Sequence, residues 1–143
     1  MAKARVLLVD DEVEFTELLA ERMRAREMEV DTADTGMAAI ARVKQKYYDA
    51  IVLDLAMPGM DGIETLKQIL SDSPDQQVVL LTGHATVPKS VEAIKQGAIE
   101  FLEKPADIDK LLEIIGRAQV KKADLFEKRM EQSIKEVKRR KGW

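Results

Sequence analysis

The sequence has no cysteine and a single histidine, His84, among its 143 residues. Without thiols there is no disulfide framework, no thiolate zinc site and no cysteine nucleophile. One imidazole excludes a multi-histidine metal site within the chain. No apolar run approaches the ~20 residues of a membrane span. The first residues, Met1-Ala2-Lys3-Ala4-Arg5-Val6, lack the apolar stretch of a signal peptide. These absences predict a soluble, cytoplasmic protein.

What is present is charge, unevenly spread. The net charge of −3 divides into −9 for residues 1–116 and +6 for residues 117–143. An acidic body with a basic tail is the first organisational feature. The length fits one domain, and a chain of this size buries about 68% of its unfolded surface. It needs no covalent staples.

Apolar runs alternate with amphipathic ones. Arg5–Val9, Ala50–Asp54 and Val78–Thr82 are short apolar runs, and strands covered on both faces lose their polar alternation. Glu29–Ala33 is a more polar strand, suited to an edge, and Ala98–Leu102 is the last. Helical spacing covers Val13–Arg26, Gly36–Lys46 with Thr35 as cap, Ile63–Leu70, and Val87–Gln96 with Gly97 at the exit. Asp107 can cap a final helix from Ile108. There is no internal repeat. Five strands alternating with five helices predict an α/β fold, a parallel sheet with helices on both faces.

In such a sheet, function gathers at the carboxyl ends of the strands. Those ends carry Asp10 and Asp11, Asp54, Thr82 and, after the last strand, Lys104. Each has a plain reading. An Asp can end a strand or cap a helix, and a Thr suits any strand. Their shared position is what carries chemistry. Crowded carboxylates repel, and a cation relieves them. Oxygen ligands suit magnesium. An ionised Asp is a nucleophile toward phosphorus, and Lys104 and Thr82 can meet phosphoryl oxygens.

Val9-Asp10-Asp11, Asp54, Met57-Pro58-Gly59-Met60-Asp61-Gly62, Thr82-Gly83-His84-Ala85 and Phe101-Leu102-Glu103-Lys104-Pro105 occur in this order. Together they resemble the receiver domain of bacterial two-component response regulators. The resemblance covers about residues 4–120. It implies a flavodoxin-like, doubly wound sheet of order 2-1-3-4-5. It implies Asp54 as phosphoacceptor. Magnesium would be held by Asp11, Asp54 and the Ala56 backbone carbonyl, with Asp10 acting through water. Lys104 would pair with a phosphoryl oxygen, and Thr82 and Phe101 would switch on activation. A cis Lys104-Pro105 bond would aim the lysine. Ala56 and His84 would flank Asp54, and Ala56 offers no side chain to guide a water. His84 otherwise reads as an exposed loop imidazole, and Met60 as a partner contact.

Residues 121–143 extend past the family's usual end. Ala123, Phe126, Met130, Ile134 and Val137 are spaced three and four apart, an amphipathic stripe of about four turns. Three arrangements are open: extension of the last helix into a homodimer, folding back on the acidic body, or a linker to an output domain. Lys138-Arg139-Arg140-Lys141 reads as a solvated helix end, since no helix-turn-helix follows. The expected function is Mg-dependent transfer of a phosphoryl group from a sensor histidine kinase or phosphotransfer protein to Asp54. The switch would then control a partner or output. Such a chain takes part in its own phosphorylation and dephosphorylation without being an enzyme in the usual sense. Two rivals are a never-phosphorylated, receiver-like scaffold that dimerises through the last helix, and an aspartate-nucleophile phosphohydrolase. The second would need another acid after Asp54, where Leu55-Ala56 stands.

Overall fold

The structure, a computed structural model, describes residues 3–57, 61–83 and 87–142, with Val87 described by its backbone alone. Strands β1 (Arg5–Val9), β2 (Glu29–Ala33), β3 (Ala50–Leu53), β4 (Val78–Thr82) and β5 (Glu100–Glu103) alternate with helices. These are α1 (Val13–Ala25), α2 (Gly36–Gln45), α3 (Gly62–Asp72), α4 (Val87–Lys95) and α5 (Ile108–Arg140). All strand pairs are parallel, in the order β2-β1-β3-β4-β5. The polar strand β2 lies at an edge.

The apolar strands feed two cores, because successive side chains point to opposite faces. Val6 and Leu8 of β1 join Val52, Val79 and Leu81 under α1 and α5, with Leu19, Met23, Leu111 and Ile115. Leu7 and Val9 join Ile51, Leu53 and Leu80 under α2, α3 and α4, with Ala39, Leu66, Ile69 and Ala93. Each central strand is therefore apolar on both faces.

The caps follow the side chains. Thr35 Oγ1 accepts from the Ala38 N–H at 3.0 Å, and Asp107 accepts from the N–H groups of Asp109 and Lys110 at 3.0 and 3.3 Å. Asp61 caps α3, accepting from the Glu64 N–H at 2.8 Å. Gly97 leaves α4 with φ +119°, a conformation that favours glycine. The Ala98 N–H is then spent on the Ala93 carbonyl at 3.0 Å, so β5 begins at Glu100 rather than at Ala98.

The extra C-terminal amphipathic helix expected from the stripe is present, joined to the last helix as α5. It is one helix of 33 residues that runs without a break across residue 120. Gly116 does not interrupt it, and no proline follows residue 105.

Candidate functional site

Backbone bonds carry the sheet's ladder one residue past its strands, and this aligns the site. The Asp10 N–H donates to the Ala33 carbonyl at 3.1 Å, and the Asp54 N–H to the Val9 carbonyl at 2.9 Å. The Lys104 N–H donates to the Thr82 carbonyl at 2.8 Å. Three residues from separate strands are thus fixed side by side at the carboxyl edge. The Lys104–Pro105 bond is cis.

Lys104 Nζ lies 2.6 Å from Asp10 Oδ2, 3.3 Å from Glu12 Oε1 and 3.6 Å from Asp54 Oδ2. It also lies 4.5 Å from the centroid of the Phe15 ring. Asp10 Oδ1 accepts from the Glu12 N–H at 2.9 Å, which shapes the turn into α1. The Ala56 N–H donates to Asp54 Oδ1 at 3.1 Å. Asp10 and Asp54 are buried, at 6% and 4% exposure. Among the described residues, Asp10, Glu12 and Asp54 each offer a carboxylate oxygen within 4.8 Å of the others.

Charge at this edge is only partly balanced. Burial raises the Asp54 carboxyl to about 6, helped by repulsion from Asp10 and opposed by Lys104 and the Ala56 N–H. Burial works against the Lys104 ammonium, but Asp10, Asp54 and Glu12 outweigh it and hold its pKa above the ordinary lysine value. An oxygen-only donor set with more carboxylates than ammonium groups fits a small, hard divalent cation.

Thr82 is fully buried, and among the described residues its Oγ1 has no hydrogen-bond partner. A buried, unpartnered hydroxyl at the end of β4 is a costly feature, of a kind that persists at functional sites. Phe101 is half-buried against the core that includes Leu80.

Gly62 sets the loop after Asp54. A Cβ there would lie 2.3 Å from Leu55 Cα and 2.8 Å from the Asp54 carbonyl oxygen. Both are backbone atoms, so only glycine lets α3 start this close to the Asp54 segment.

The structure thus gathers Asp10, Asp54 and Lys104, as the strand ends predict. Asp11 and Ala56 are exposed beside them in the chain. Glu12 is a member of the cluster that sequence reasoning misses. Its signal is the third acid in the run Asp10-Asp11-Glu12, a run that helical spacing assigns to the approach to α1. Pro58, Gly59, Met60 and His84 lie outside the described residues.

The response regulator receiver domain family matches residues 6–116. The transcriptional regulatory protein ZraR of Salmonella typhimurium is 37% identical over 116 residues, which is 81% of this chain and 26% of that protein. The C4-dicarboxylate transport transcriptional regulatory protein DctD of Pseudomonas aeruginosa is 36% identical over 117 residues, 82% of this chain and 25% of that one. The chain therefore spans about a quarter of the length of these curated relatives. The crystal structure of the receiver domain of NtrX from Brucella abortus superimposes with a TM-score of 0.75 at 33% identity, covering 80% of this chain and 97% of that one. With the sheet order, the carboxylate edge and the sequence likeness in agreement, this chain belongs to the receiver domain family of two-component response regulators.

Proposed function

We propose that Asp54 is the phosphoacceptor, receiving its phosphoryl group from a phosphohistidine on a sensor histidine kinase or phosphotransfer protein. A carboxylate oxygen of Asp54 forms the new bond to phosphorus, the phosphorus–nitrogen bond breaks, and the imidazole nitrogen keeps the electron pair. The observation that carries this reading is the buried Asp54 carboxyl, 3.6 Å from Lys104 and crowded by Asp10 and Glu12.

Each neighbour then has a part. Lys104 neutralises a phosphoryl oxygen. The Thr82 hydroxyl, without a partner among the described residues, gains an acceptor in the phosphoryl group, and Phe101 repacks around it. Asp11, Asp54 and the Ala56 carbonyl would hold magnesium, with Asp10 acting through a water; Glu12 adds a nearby carboxylate. Bound there, magnesium supplies positive charge against the phosphoryl oxygens.

On this reading residues 4–120 are the receiver and residues 121–143 a basic helical tail. The tail's exposed stripe, Phe126, Met130, Ile134 and Val137, supports a homodimer through the last helix. Relatives whose names speak of transcriptional regulation support an output in gene control, acting through a separate DNA-binding part. The work is placed in the cytoplasm, and no described helix is long and apolar enough to cross a membrane.

The test is the intact mass after incubation with acetyl phosphate and magnesium. One added phosphoryl group, absent in Asp54→Asn, is the expected result. Addition that persists in Asp54→Asn would overturn the assignment. No addition from acetyl phosphate or from a panel of kinases would favour the unphosphorylated scaffold.

A further inference from the structure

The two ends of the central strands differ in what meets them. The carboxyl ends of β3 and β4 lead to Asp54 and Thr82. Their amino ends, in the segments 46–49 and 73–77, meet α5. Lys122 Nζ donates to the Tyr48 carbonyl at 2.7 Å and to Gln76 Oε1 at 2.8 Å. The same ammonium lies 3.9 Å from the centroid of the Tyr47 ring. Gln76 is buried, and its Nε2 donates in turn to the Tyr48 and Gln77 carbonyls at 3.1 and 3.3 Å. Seven residues further on, two turns along the same helix face, Arg129 makes a bidentate pair with Asp75, both contacts at 2.7 Å.

These contacts do for the helix what apolar packing does not. The last buried apolar residue of α5 is Ala118, and Phe126, Met130, Ile134 and Val137 are all exposed. A helical segment of some 20 residues, cut from its packing, is marginal in water. Lys122 is half-buried, and burial draws its ammonium down to about 8, with Asp49 and Asp75 opposing. The signs of charge agree, a basic tail on an acidic body.

We propose that Lys122 and Arg129 clamp the extension of α5 to the sheet edge opposite Asp54, making residues 119–140 an arm of fixed direction whose order depends on the receiver body. The clamp is mounted on the starts of the strands that end at the phosphoacceptor, and away from the acceptor itself. It holds the stripe from Phe126 to Val137 clear of the body. Removing the clamp loosens the arm and leaves the phosphoacceptor site intact.

The experiment is amide hydrogen exchange on the full chain, with Lys122→Met, Arg129→Gln and the double variant. Methionine and glutamine keep helix propensity close to that of the residues they replace. Protection of residues 121–135 is expected to fall at least ~10-fold in the double variant and less in each single one. Protection in β1, β3 and β4, and phosphoryl uptake from acetyl phosphate, stay at wild-type levels. Unchanged protection of the arm in the double variant would overturn the proposal, as would an arm unprotected in the wild type. Arm protection that disappears on dilution of the wild type would also overturn it, because a second copy would then be holding the helix. If the double variant unfolds, Arg129→Gln decides alone, since it removes an exposed pair; unchanged protection around residue 129 is then the overturning result.

Discussion

The carboxyl and amino edges of one sheet treat charge in opposite ways. At the carboxyl edge, Asp10, Glu12 and Asp54 share the Lys104 ammonium, Asp54 is raised to about 6, and the Thr82 hydroxyl has no partner among the described residues. At the amino edge, charged groups have hydrogen-bond partners, although burial still draws the Lys122 ammonium down to about 8. Asp49 accepts from the Arg5 N–H at 2.8 Å, Asp75 takes both prongs of Arg129, and Lys122 has two oxygen acceptors. The same strands serve both edges. Hydrogen-bonded polar groups hold structure, whereas crowded, like-charged groups are the kind found at functional sites.

The contrast can be broken most strongly at Gly62. Gly62→Ala puts a Cβ against backbone of the Asp54 segment, and is expected to destabilise by about 3 kcal/mol in urea unfolding. Phosphoryl uptake should fall with it. A cation sharpens the contrast from the other side. Magnesium at about 100 times its Kd is expected to stabilise the wild type by about 2.7 kcal/mol, and Asp54→Asn by much less. Lys122→Met, at the satisfied edge, should leave the magnesium gain unchanged.

Asp54→Asn without magnesium is the next effect in size. The Asp54 carboxyl titrates near 6 when folded, against an ordinary value of 3.8. Between these values the folded chain holds more protons than the unfolded one. Its stability therefore falls as pH rises through that window. The penalty is complete above the folded value and absent below the unfolded one. Asp54→Asn should thus exceed wild type by about 1–3 kcal/mol at pH 7 in the presence of a chelator, and lose its advantage below about pH 4. An advantage that persists at low pH would mean that the carboxylate charge is not its source.

The smallest effect is expected at the exposed stripe. Phe126→Ser should change stability by about 0.5 kcal/mol or less, since the ring is already in water. A sedimentation series shows at the same time whether the stripe joins two copies, because only then does Phe126→Ser lower the average mass.

Much of the carboxyl edge is legible in the order of residues alone. Asp10 and Asp54 directly follow apolar runs, Lys104 comes just after the last strand, and a parallel sheet brings such ends together. Glu12 is not legible as part of the cluster. Its side chain turns back toward Lys104, 92 residues away in the chain, across a contact that periodicity does not report. The Thr82 hydroxyl, without a partner among the described residues, is equally hidden, because whether a group finds a partner is a property of the surroundings.

The sequence by itself determined the order of elements, the parallel sheet and the family, because apolar period and strand-end residues are local signals repeated along the chain. The tertiary structure decided among the arrangements that the amphipathic stripe left open: α5 continues unbroken through residue 140 and is held at Lys122 and Arg129. Lys122 meets its acceptors 74 and 46 residues away, and Arg129 meets Asp75 at a separation of 54. Helical spacing shows which residues share a face of a helix. What lies against that face is set by the packing of the whole chain.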